Sequence, residues 1–352
     1  MSKSLTALPK LVQRHLLSAD DANHLTAVAE KYSVSITESM ADVINLENTN
    51  DPIRAQFIPR KEELNLAQNE KDDPISDTSY SPMKGLVHRY PDRILIKPIH
   101  SCAVYCRFCF RREQVGRNKE ALNADDLQKI YAYLQTHPEI WEVIFTGGDP
   151  LLLSPRKLAE ILSVLGMIDH VKVIRFHTRI PLVSPDLIND DMISALKSCK
   201  KTIWISLHSN HVNEFTPDGE KAIASIIDAG IPMVSQTVLL KGINDKVETL
   251  DMLFRHLVQN RIKPYYLHHP DLANGTKHFR LPIRKGQAIY KELLKKLSGM
   301  ARPHYCLDIP NGAGKIPIHE SYAKQNGEEP NKWSLSDANG NLHDYIESYD
   351  ED

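Results

Sequence analysis

The sequence has no excess of charge of one sign and no long apolar run. Its 43 basic and 45 acidic residues among 352 give a formal net charge of −2, which argues against a partner such as nucleic acid. No apolar segment is long enough to cross a bilayer, and Lys10, Arg14 and His15 interrupt the apolar residues near the N-terminus, unlike in a signal peptide. We therefore expect a cytoplasmic protein with no nucleic-acid or membrane partner.

Cysteine is scarce in this chain and is distributed unevenly. There are five cysteines, an odd number; three fall within the segment 102–109, while Cys199 and Cys306 stand alone. A disulfide framework would need pairs spread over the chain, so this distribution favours metal or redox chemistry. The 41% hydrophobic and 25% charged residues are ordinary for a soluble globular enzyme and argue against a disordered or fibrous chain.

The chain divides into three segments by composition and pattern. The first segment is polar with helical periodicity, and Ser18 is positioned as the N-cap of a helix. From Ile94 onward, short apolar runs alternate with amphipathic stretches, as is typical of parallel βα units. We predict an N-terminal helical accessory region over 1–83, a core over 84–300 and a C-terminal segment over 301–352.

Six βα units are predicted in the core. Their strands are expected over 94–98, 142–145, 171–176, 202–206, 233–239 and 264–267. A helix is expected over 284–297, and the Asn339-Gly340 pair between the apolar-rich runs 332–335 and 342–345 predicts a terminal hairpin. Units of this kind can form a partial barrel or an open doubly wound sheet, and periodicity does not separate these two outcomes.

The sharpest motif is the spacing of Cys102, Cys106 and Cys109 directly after the first predicted strand. Cysteine thiolates hold cubane iron–sulfur clusters, and three ligands for four irons would leave one iron open to an exogenous donor. The alternative is a structural zinc site. Zinc requires four ligands, however, and the nearest imidazole, that of His100, lies outside the usual ligand pairings.

With Phe108 directly before its last cysteine, the motif resembles the signature of the radical SAM superfamily. This resemblance implies a partial (βα)6 barrel, a [4Fe–4S] cluster whose open iron chelates S-adenosylmethionine (SAM), and a one-electron reductant such as flavodoxin or ferredoxin. It further implies that a glycine-containing turn and the polar ends of the fourth and fifth strands contact the cofactor; these residues are Gly147, Gly148, Asp149, His208 and Gln236. Taken alone, they would be an ordinary strand-to-helix turn and polar strand ends.

A second motif is the glycine-rich segment that ends at Lys315. It is not a phosphate-binding P-loop, because Ile316 stands where that motif requires Ser or Thr. A flexible segment of this kind can carry a lysine into a pocket to form the Schiff base that pyridoxal 5′-phosphate (PLP) enzymes require. The alternative is a solvated loop lysine.

A series of motifs resembles the lysine 2,3-aminomutases, in the same order, over about residues 84–350. These motifs are HRYPDR, the cysteine motif, GGDPLL, LLKGIND, PYYLHHPDL, KHFR and PNGAGK. The resemblance implies an isomerase that converts L-lysine to β-lysine, with a C-terminal segment that carries PLP on Lys315. By position, Arg93 would contact the PLP phosphate and Arg111 the substrate carboxylate. Asp271 and Asp308 would hold the ε-ammonium of the substrate.

Two features differ from the long lysine aminomutases. No cysteine follows Cys306, so their C-terminal zinc-binding cysteine cluster is absent, although a homo-oligomer is compatible with the resemblance. The segment 267–270 is closer to short bacterial relatives that make β-lysine for modifying elongation factor P, which implies translation factor modification as a use of the product. Two alternatives remain: an aminomutase for another amino acid such as glutamate, and a non-enzymatic iron–sulfur or zinc protein.

Overall fold

The N-terminal region is built of short helices around a small two-stranded sheet. In this computed structural model, residues 4–116, 121–319, 321–325, 332–337 and 339–346 are described. The first elements are β1 Ser4–Leu5, α1 Leu8–Gln13, α2 Ala19–His24, α3 Thr26–Lys31, β2 Ile36–Thr37, α4 Glu38–Asp42 and α5 Pro52–Phe57. The Ser18 hydroxyl accepts a hydrogen bond from the Asp21 amide, which confirms Ser18 as the N-cap of α2.

A nine-stranded sheet forms the centre of the molecule. Its strands are β3 Leu86–Tyr90, β4 Arg93–Ile99, β5 Glu142–Gly147, β6 Val173–Thr178, β7 Thr202–His208, β8 Met233–Val238, β9 Ile262–His268, β10 His304–Ile309 and β11 Gly314–Pro317. The strands lie side by side in chain order, with parallel pairing from β4 through β10 and an antiparallel pair at each edge. Strands β4 to β9 are the six that the sequence predicts.

Helices cross between the parallel strands and bury one face against the sheet. They are α6 Ala124–Gln135, α7 Pro155–Gly166, α8 Ile180–Val183, α9 Asp190–Leu196, α10 Pro217–Asp228, α11 Val247–Gln259 and α12 Ile283–Lys296. In α11 the buried residues Leu250, Leu253, Phe254 and Leu257 follow the spacing of one helical stripe, so this helix packs its apolar face on the core. None of the described helices is long and apolar enough to span a membrane.

The sheet curves into a nearly closed barrel. In the described part of the chain no ladder joins the edge strands β3 and β11, but the Lys315 amide on β11 donates a 2.9 Å hydrogen bond to the Tyr90 hydroxyl on β3. The α/β class and the partial barrel expected from the sequence are therefore confirmed. The sheet exceeds the six predicted strands, because β10 adds a seventh parallel strand and each edge carries an antiparallel one.

The glycine-rich segment before Lys315 is an ordered turn, which differs from the flexible segment that the sequence suggests. Strands β10 and β11 pair in antiparallel register, with Asp308 opposite Lys315. Asn311 and Gly312 take positive φ values of 65° and 79°, a conformation that favours glycine and tolerates asparagine. The segment thus sets Lys315 at a defined position on the sheet. Through β10 it joins the main sheet, while the predicted division at residue 300 stays a prediction.

The C-terminal part forms a separate three-stranded antiparallel sheet. Its strands are β12 Ala323–Gln325, β13 Lys332–Ser336 and β14 Leu342–Ile346. Strands β13 and β14 pair in antiparallel register, which confirms the predicted terminal hairpin. Gly340 in the connecting turn has a φ of 90°, as the short-range hairpin signal requires.

Candidate active site

One cavity of about 590 Å³ lies within the curved sheet and is lined by residues from β3 to β11. Every candidate site residue from the sequence lines it: Arg93, Cys102, Cys106, Cys109, Arg111, Gly147, Gly148, Asp149, His208, Gln236, Asp271, Asp308 and Lys315. This volume is ordinary for a small-molecule site. The fold therefore brings together residues that are more than two hundred positions apart in the chain.

The loop with the three cysteines follows β4 directly and is fixed by backbone hydrogen bonds. The Tyr105 amide donates to the Ser35 carbonyl at 2.9 Å, and the Arg107 amide donates to the Gln56 carbonyl at 2.8 Å. Both acceptors belong to the N-terminal region. This region thus holds the cysteine loop at the end of the barrel.

The three thiols fit an iron–sulfur cluster by their chemistry. Burial raises the pKa of Cys102, Cys106 and Cys109, that of Cys106 to about 11, so metal binding would be needed to keep them as thiolates. Over the described ranges, no three His, Cys, Asp or Glu side chains converge on the position of a single metal ion. A cubane cluster does not need this convergence, because each cysteine binds a different iron.

Gly147 and Gly148 allow the end of β5 to approach the cysteine loop closely. A Cβ atom at Gly148 would lie 2.3 Å from the carbonyl oxygen of Ser101, and one at Gly147 would lie 2.8 Å from Cβ of Lys97. The carboxylate of Asp149 accepts hydrogen bonds from the Thr178 hydroxyl at 2.7 Å and from the Arg179 amide at 2.8 Å. The turn is thus built for tight packing, and its contact with SAM stays a prediction.

Lys315 and Asp308 form an ion pair across the β10–β11 hairpin. The Lys315 ammonium also lies 3.2 Å from Nδ1 of His268, which is at the end of β9. Asp271 lies in the same cavity, where burial and the nearby charge of Asp308 raise its pKa to about 7. Asp271, Asp308 and Lys315 therefore line the same cavity, which Asp77 and Asp149 line as well.

The comparisons with known proteins agree with this arrangement. Residues 96–253 match the model described as Radical SAM superfamily. Over 306 residues the chain is 36% identical to the L-lysine 2,3-aminomutase of Acetoanaerobium sticklandii, an alignment that covers 87% of this chain and 74% of that protein. The chain belongs to the radical SAM aminomutase family. This radical SAM aminomutase is therefore an isomerase, and its family implies SAM and a [4Fe–4S] cluster.

Two further proteins are similar to this radical SAM aminomutase to different degrees. The glutamate 2,3-aminomutase of Clostridioides difficile is 32% identical over 327 residues, which cover 93% of this chain and 77% of that protein. The crystal structure of Streptococcus suis SuiB bound to S-adenosylmethionine is 16% identical, with a TM-score of 0.47 and coverage of 62% of this chain and 51% of that chain. Membership of an enzyme family removes the non-enzymatic alternative.

In this radical SAM aminomutase, Asp77 is a buried partner of Arg111. No sequence pattern identified it as a candidate site residue. Its Oδ2 atom accepts hydrogen bonds from Nε and Nη2 of Arg111 at 3.0 and 2.8 Å, and its side chain is 1% exposed. Burial alone would raise the pKa of Asp77, but the charges of Arg111 and Lys97 lower it below its usual value. Asp77 thus stays ionised and fixes the orientation of the Arg111 guanidinium.

Glu63 is a second residue that the sequence patterns missed. Its fully buried carboxylate accepts hydrogen bonds from Arg107 at 3.0, 3.1 and 2.5 Å and is also bonded by Arg112. The Arg112 guanidinium lies 3.6 Å above the ring of Tyr32. Because Arg107 lies within the cysteine loop and Arg112 follows it, Glu63 ties this loop to the N-terminal region.

His208 and Gln236 lie beside a third polar residue, His177, which the sequence analysis did not select. Gln236 Nε2 is 3.1 Å from His177 Nε2, and the rings of His177 and His208 are 5.9 Å apart. Burial lowers the pKa of both histidines, that of His208 to about 3. These imidazoles are thus neutral groups on the cavity wall. His177 directly follows the predicted third strand, a position shared by many ligand-binding residues.

Arg93 is connected to Lys315 through Tyr90. The Arg93 guanidinium lies 3.8 Å above the Tyr90 ring, and the Tyr90 hydroxyl accepts the hydrogen bond from the Lys315 amide. Arg93 also pairs with Asp92 at 2.6 Å. The Arg93 guanidinium and the Lys315 side chain thus line the same part of the cavity. This arrangement is suited to an aldehyde that bears a phosphate group.

Proposed function

We propose that the chain converts L-lysine to β-lysine by moving the amino group from C2 to C3, with a [4Fe–4S] cluster, SAM and PLP as cofactors. The observation that carries this proposal is the pair Asp271 and Asp308 in the cavity that also holds Lys315 and the three cysteines. Acidic residues at this place favour a substrate with a cationic end. The distal ammonium of lysine provides that cation.

The electrostatics of Asp271 support lysine over glutamate. Burial, and then the charge of Asp308, raise the pKa of Asp271 to about 7, because an ionised carboxylate there lacks sufficient positive charge around it. An ammonium placed between the two carboxylates would remove this penalty. The side-chain carboxylate of glutamate would add a third negative charge and would be repelled.

Arg111 would bind the carboxylate of the amino-acid substrate. Its Nε and Nη2 atoms are oriented by Asp77, while its Nη1 atom lies 3.4 Å from the Thr146 hydroxyl on the cavity wall. A guanidinium held in this way can present its remaining N–H donors to an anion without reorganisation. The two ends of the substrate would thus meet groups of opposite charge in the same cavity.

Lys315 and Arg93 would hold PLP, the former by its amine and the latter by its contact with the phosphate. Lys315 is set by the β10–β11 register and by its backbone bond to Tyr90, so its amine points into the cavity from a fixed strand. When bound, SAM and the cluster supply the radical that removes a hydrogen atom, and PLP supplies the π system that stabilises the migrating centre. The buried cavity walls exclude water from these reactive species.

Partners and product use belong to the same proposal. A one-electron reductant such as flavodoxin or ferredoxin is needed because SAM is cleaved reductively. The segment 267–270, which differs from the long lysine aminomutases, supports a short-form enzyme whose β-lysine serves translation factor modification. We also propose a cytoplasmic location, as the sequence analysis expects.

The test is β-amino acid formation from an amino-acid panel by anaerobically reconstituted protein. Wild type is expected to convert lysine, and Asp271→Asn and Asp308→Asn are expected to lower lysine turnover by about two to three orders of magnitude. This follows from the roughly 3–5 kcal/mol cost of removing one partner of a buried charge pair. Asp228→Asn is the matched control, because that carboxylate is exposed and pairs with Arg261 on the surface.

The panel also decides between the two substrates. If wild type prefers glutamate, or if both cavity variants keep full activity on lysine, the assignment to lysine is wrong. PLP content is measured in each variant, so that a loss of cofactor is not mistaken for a loss of substrate binding.

A further inference from the structure

His268 is a cavity residue to which the resemblance assigns no role. It ends strand β9, and its Nδ1 atom lies 3.2 Å from the Lys315 ammonium nitrogen. Asp308 contacts the same nitrogen. A side-chain ammonium of the protein itself thus occupies a position between a carboxylate and an imidazole, and it serves as a stand-in for an ammonium ligand.

The protonation state of His268 suits the acceptor role. Burial, followed by the charge of Lys315, holds the pKa of His268 well below its usual range, so its imidazole is neutral. If Nδ1 accepts a hydrogen bond from an ammonium, the ring proton is on Nε2. The Cys306 sulfur lies 3.7 Å from the same Nδ1 atom, farther than the Lys315 nitrogen, and a neutral ring that accepts through Nδ1 attracts an N–H group and does not repel the cation.

The number of donors on an ammonium group leaves room for this acceptor. A primary ammonium carries three N–H donors, and the proposed substrate site provides two carboxylates, Asp271 and Asp308. Asp271 follows His268 by three residues and is close enough for the charge of Lys315 to lower its pKa in part. A third acceptor would satisfy the ammonium completely, and His268 is the neutral group that contacts the stand-in.

We propose that His268 is a specificity-determining residue whose Nδ1 atom accepts the third hydrogen bond from the distal ammonium of the substrate, beside Asp271 and Asp308. This inference rests on the proposed function, because it requires a substrate with an ammonium end. It also requires that Lys315 leave this position. Its amine would have to stay away from Asp308 and His268 both while it holds PLP and after the α-amine of the substrate has replaced it there.

The test measures ligand binding without turnover. Holoenzyme reconstituted anaerobically with cluster, SAM and PLP, but without reductant, is titrated with lysine while the absorbance of PLP is followed. The comparison ligand is 2-aminoheptanoate, which has a methyl group in place of the ammonium. His268→Leu is expected to weaken lysine binding by about tenfold to a hundredfold, the effect of losing a hydrogen bond to a charged group, and to leave binding of 2-aminoheptanoate unchanged.

Two conservative variants locate the acceptor atom. His268→Asn places its side-chain oxygen near the position of Nδ1 and should restore most of the preference for lysine, whereas His268→Gln places its oxygen near Nε2 and should not. If His268→Leu does not fold, this comparison alone decides. His269→Asn is the matched control, because the neighbouring histidine faces the Tyr305 hydroxyl at 2.9 Å and should leave the ratio of the two affinities unchanged.

Each outcome separates this inference from the proposed function. If wild type binds lysine better than 2-aminoheptanoate and His268→Leu keeps that preference, His268 has no role in recognising the distal ammonium of the substrate. Equal weakening of both ligands would indicate a merely structural role and would also overturn the inference. If wild type binds glutamate better than lysine, the proposed function itself fails, and the inference fails with it.

Discussion

Replacement of Glu63 by glutamine should destabilise the protein more than any exposed acidic substitution. The Glu63 side chain is fully buried and is shared by Arg107 and Arg112. Glutamine has almost the same shape but no charge, so Glu63→Gln leaves two guanidinium groups in the interior without their counterion. The cost of breaking a buried pair in this way is about 3–5 kcal/mol of unfolding free energy.

The same substitution should reduce cluster assembly. Arg107 lies between the second and third cysteines, and its amide and guanidinium are bonded to the carbonyls of Gln56 and Ser33 in the N-terminal region. Loss of the Glu63 carboxylate would free the Arg107 side chain and loosen this loop. We expect lower iron and sulfide content after anaerobic reconstitution, with an altered electron paramagnetic resonance signal of the reduced cluster.

The effect should depend on pH in a defined direction. Burial would raise the pKa of Glu63, but the charges and hydrogen bonds of Arg107 and Arg112 lower it below its usual value. A carboxylate with a lowered pKa in the folded state contributes its stability above its unfolded pKa of about 4.3 and loses it as the pH falls through the folded value. The difference between wild type and Glu63→Gln should therefore be full at neutral pH and shrink in acid.

The assay is urea-induced unfolding of anaerobically purified protein at neutral pH, together with iron and sulfide analysis. Glu62→Gln is the control, because the neighbouring glutamate is exposed and its replacement should change stability by less than about 0.5 kcal/mol. The reasoning would be refuted if Glu63→Gln lost less than about 1 kcal/mol and assembled its cluster normally, since the carboxylate would then not be the counterion of both arginines.

Three further predictions follow from the cavity. Gly148→Ala should lower the free energy of unfolding by about 1–3 kcal/mol and reduce iron incorporation, because its Cβ atom would lie 2.3 Å from the Ser101 carbonyl oxygen. Gly299→Ala, with open space around it, is the control in thermal unfolding and iron analysis, and equal behaviour of the two variants would contradict the clash. Borohydride reduction and peptide mapping should place the pyridoxyl group on Lys315, and a label on another lysine would show that the C-terminal motif was misassigned. Lysine affinity relative to 2-aminoheptanoate should rise about tenfold from about pH 6 to about pH 8, because Asp271, with a pKa of about 7, must ionise to bind an ammonium; a flat ratio in the same PLP absorbance titration would exclude this role.

Much of the fold was predictable from local pattern. The strands β4 to β9 are apolar and short, and they alternate with amphipathic helices such as α7 and α11, so the period of hydrophobic residues indicates each element without tertiary information. The cysteine spacing carries its chemistry in the same local way, since three thiols in one short loop have few other uses. The glycine pair after β5 is also a local signal.

Two of the strands that the sequence analysis did not find, β10 and β11, were missed for the same physical reason. Strands β10 and β11 carry His304, Asp308 and Lys315, which face the cavity, so polar residues stand where a strand pattern requires apolar ones. The glycines between them suggested a flexible segment, although the backbone forms a tight turn. A functional cavity thus weakens the very periodicity by which strands are recognised.

The sequence by itself determined where the parallel strands lie along the chain, the cysteine motif and, through the resemblance, many of the residues that meet in the cavity. Only the tertiary structure decided which acidic residues become buried counterions. Glu63 and Asp77 stand in polar segments and resemble solvated acids, yet Glu63 is buried against Arg107 and Asp77 against Arg111, each more than thirty residues away in the chain. Such pairs depend on long-range packing of the N-terminal region on the cysteine loop, and a carboxylate enters the interior only where that packing supplies the opposite charge.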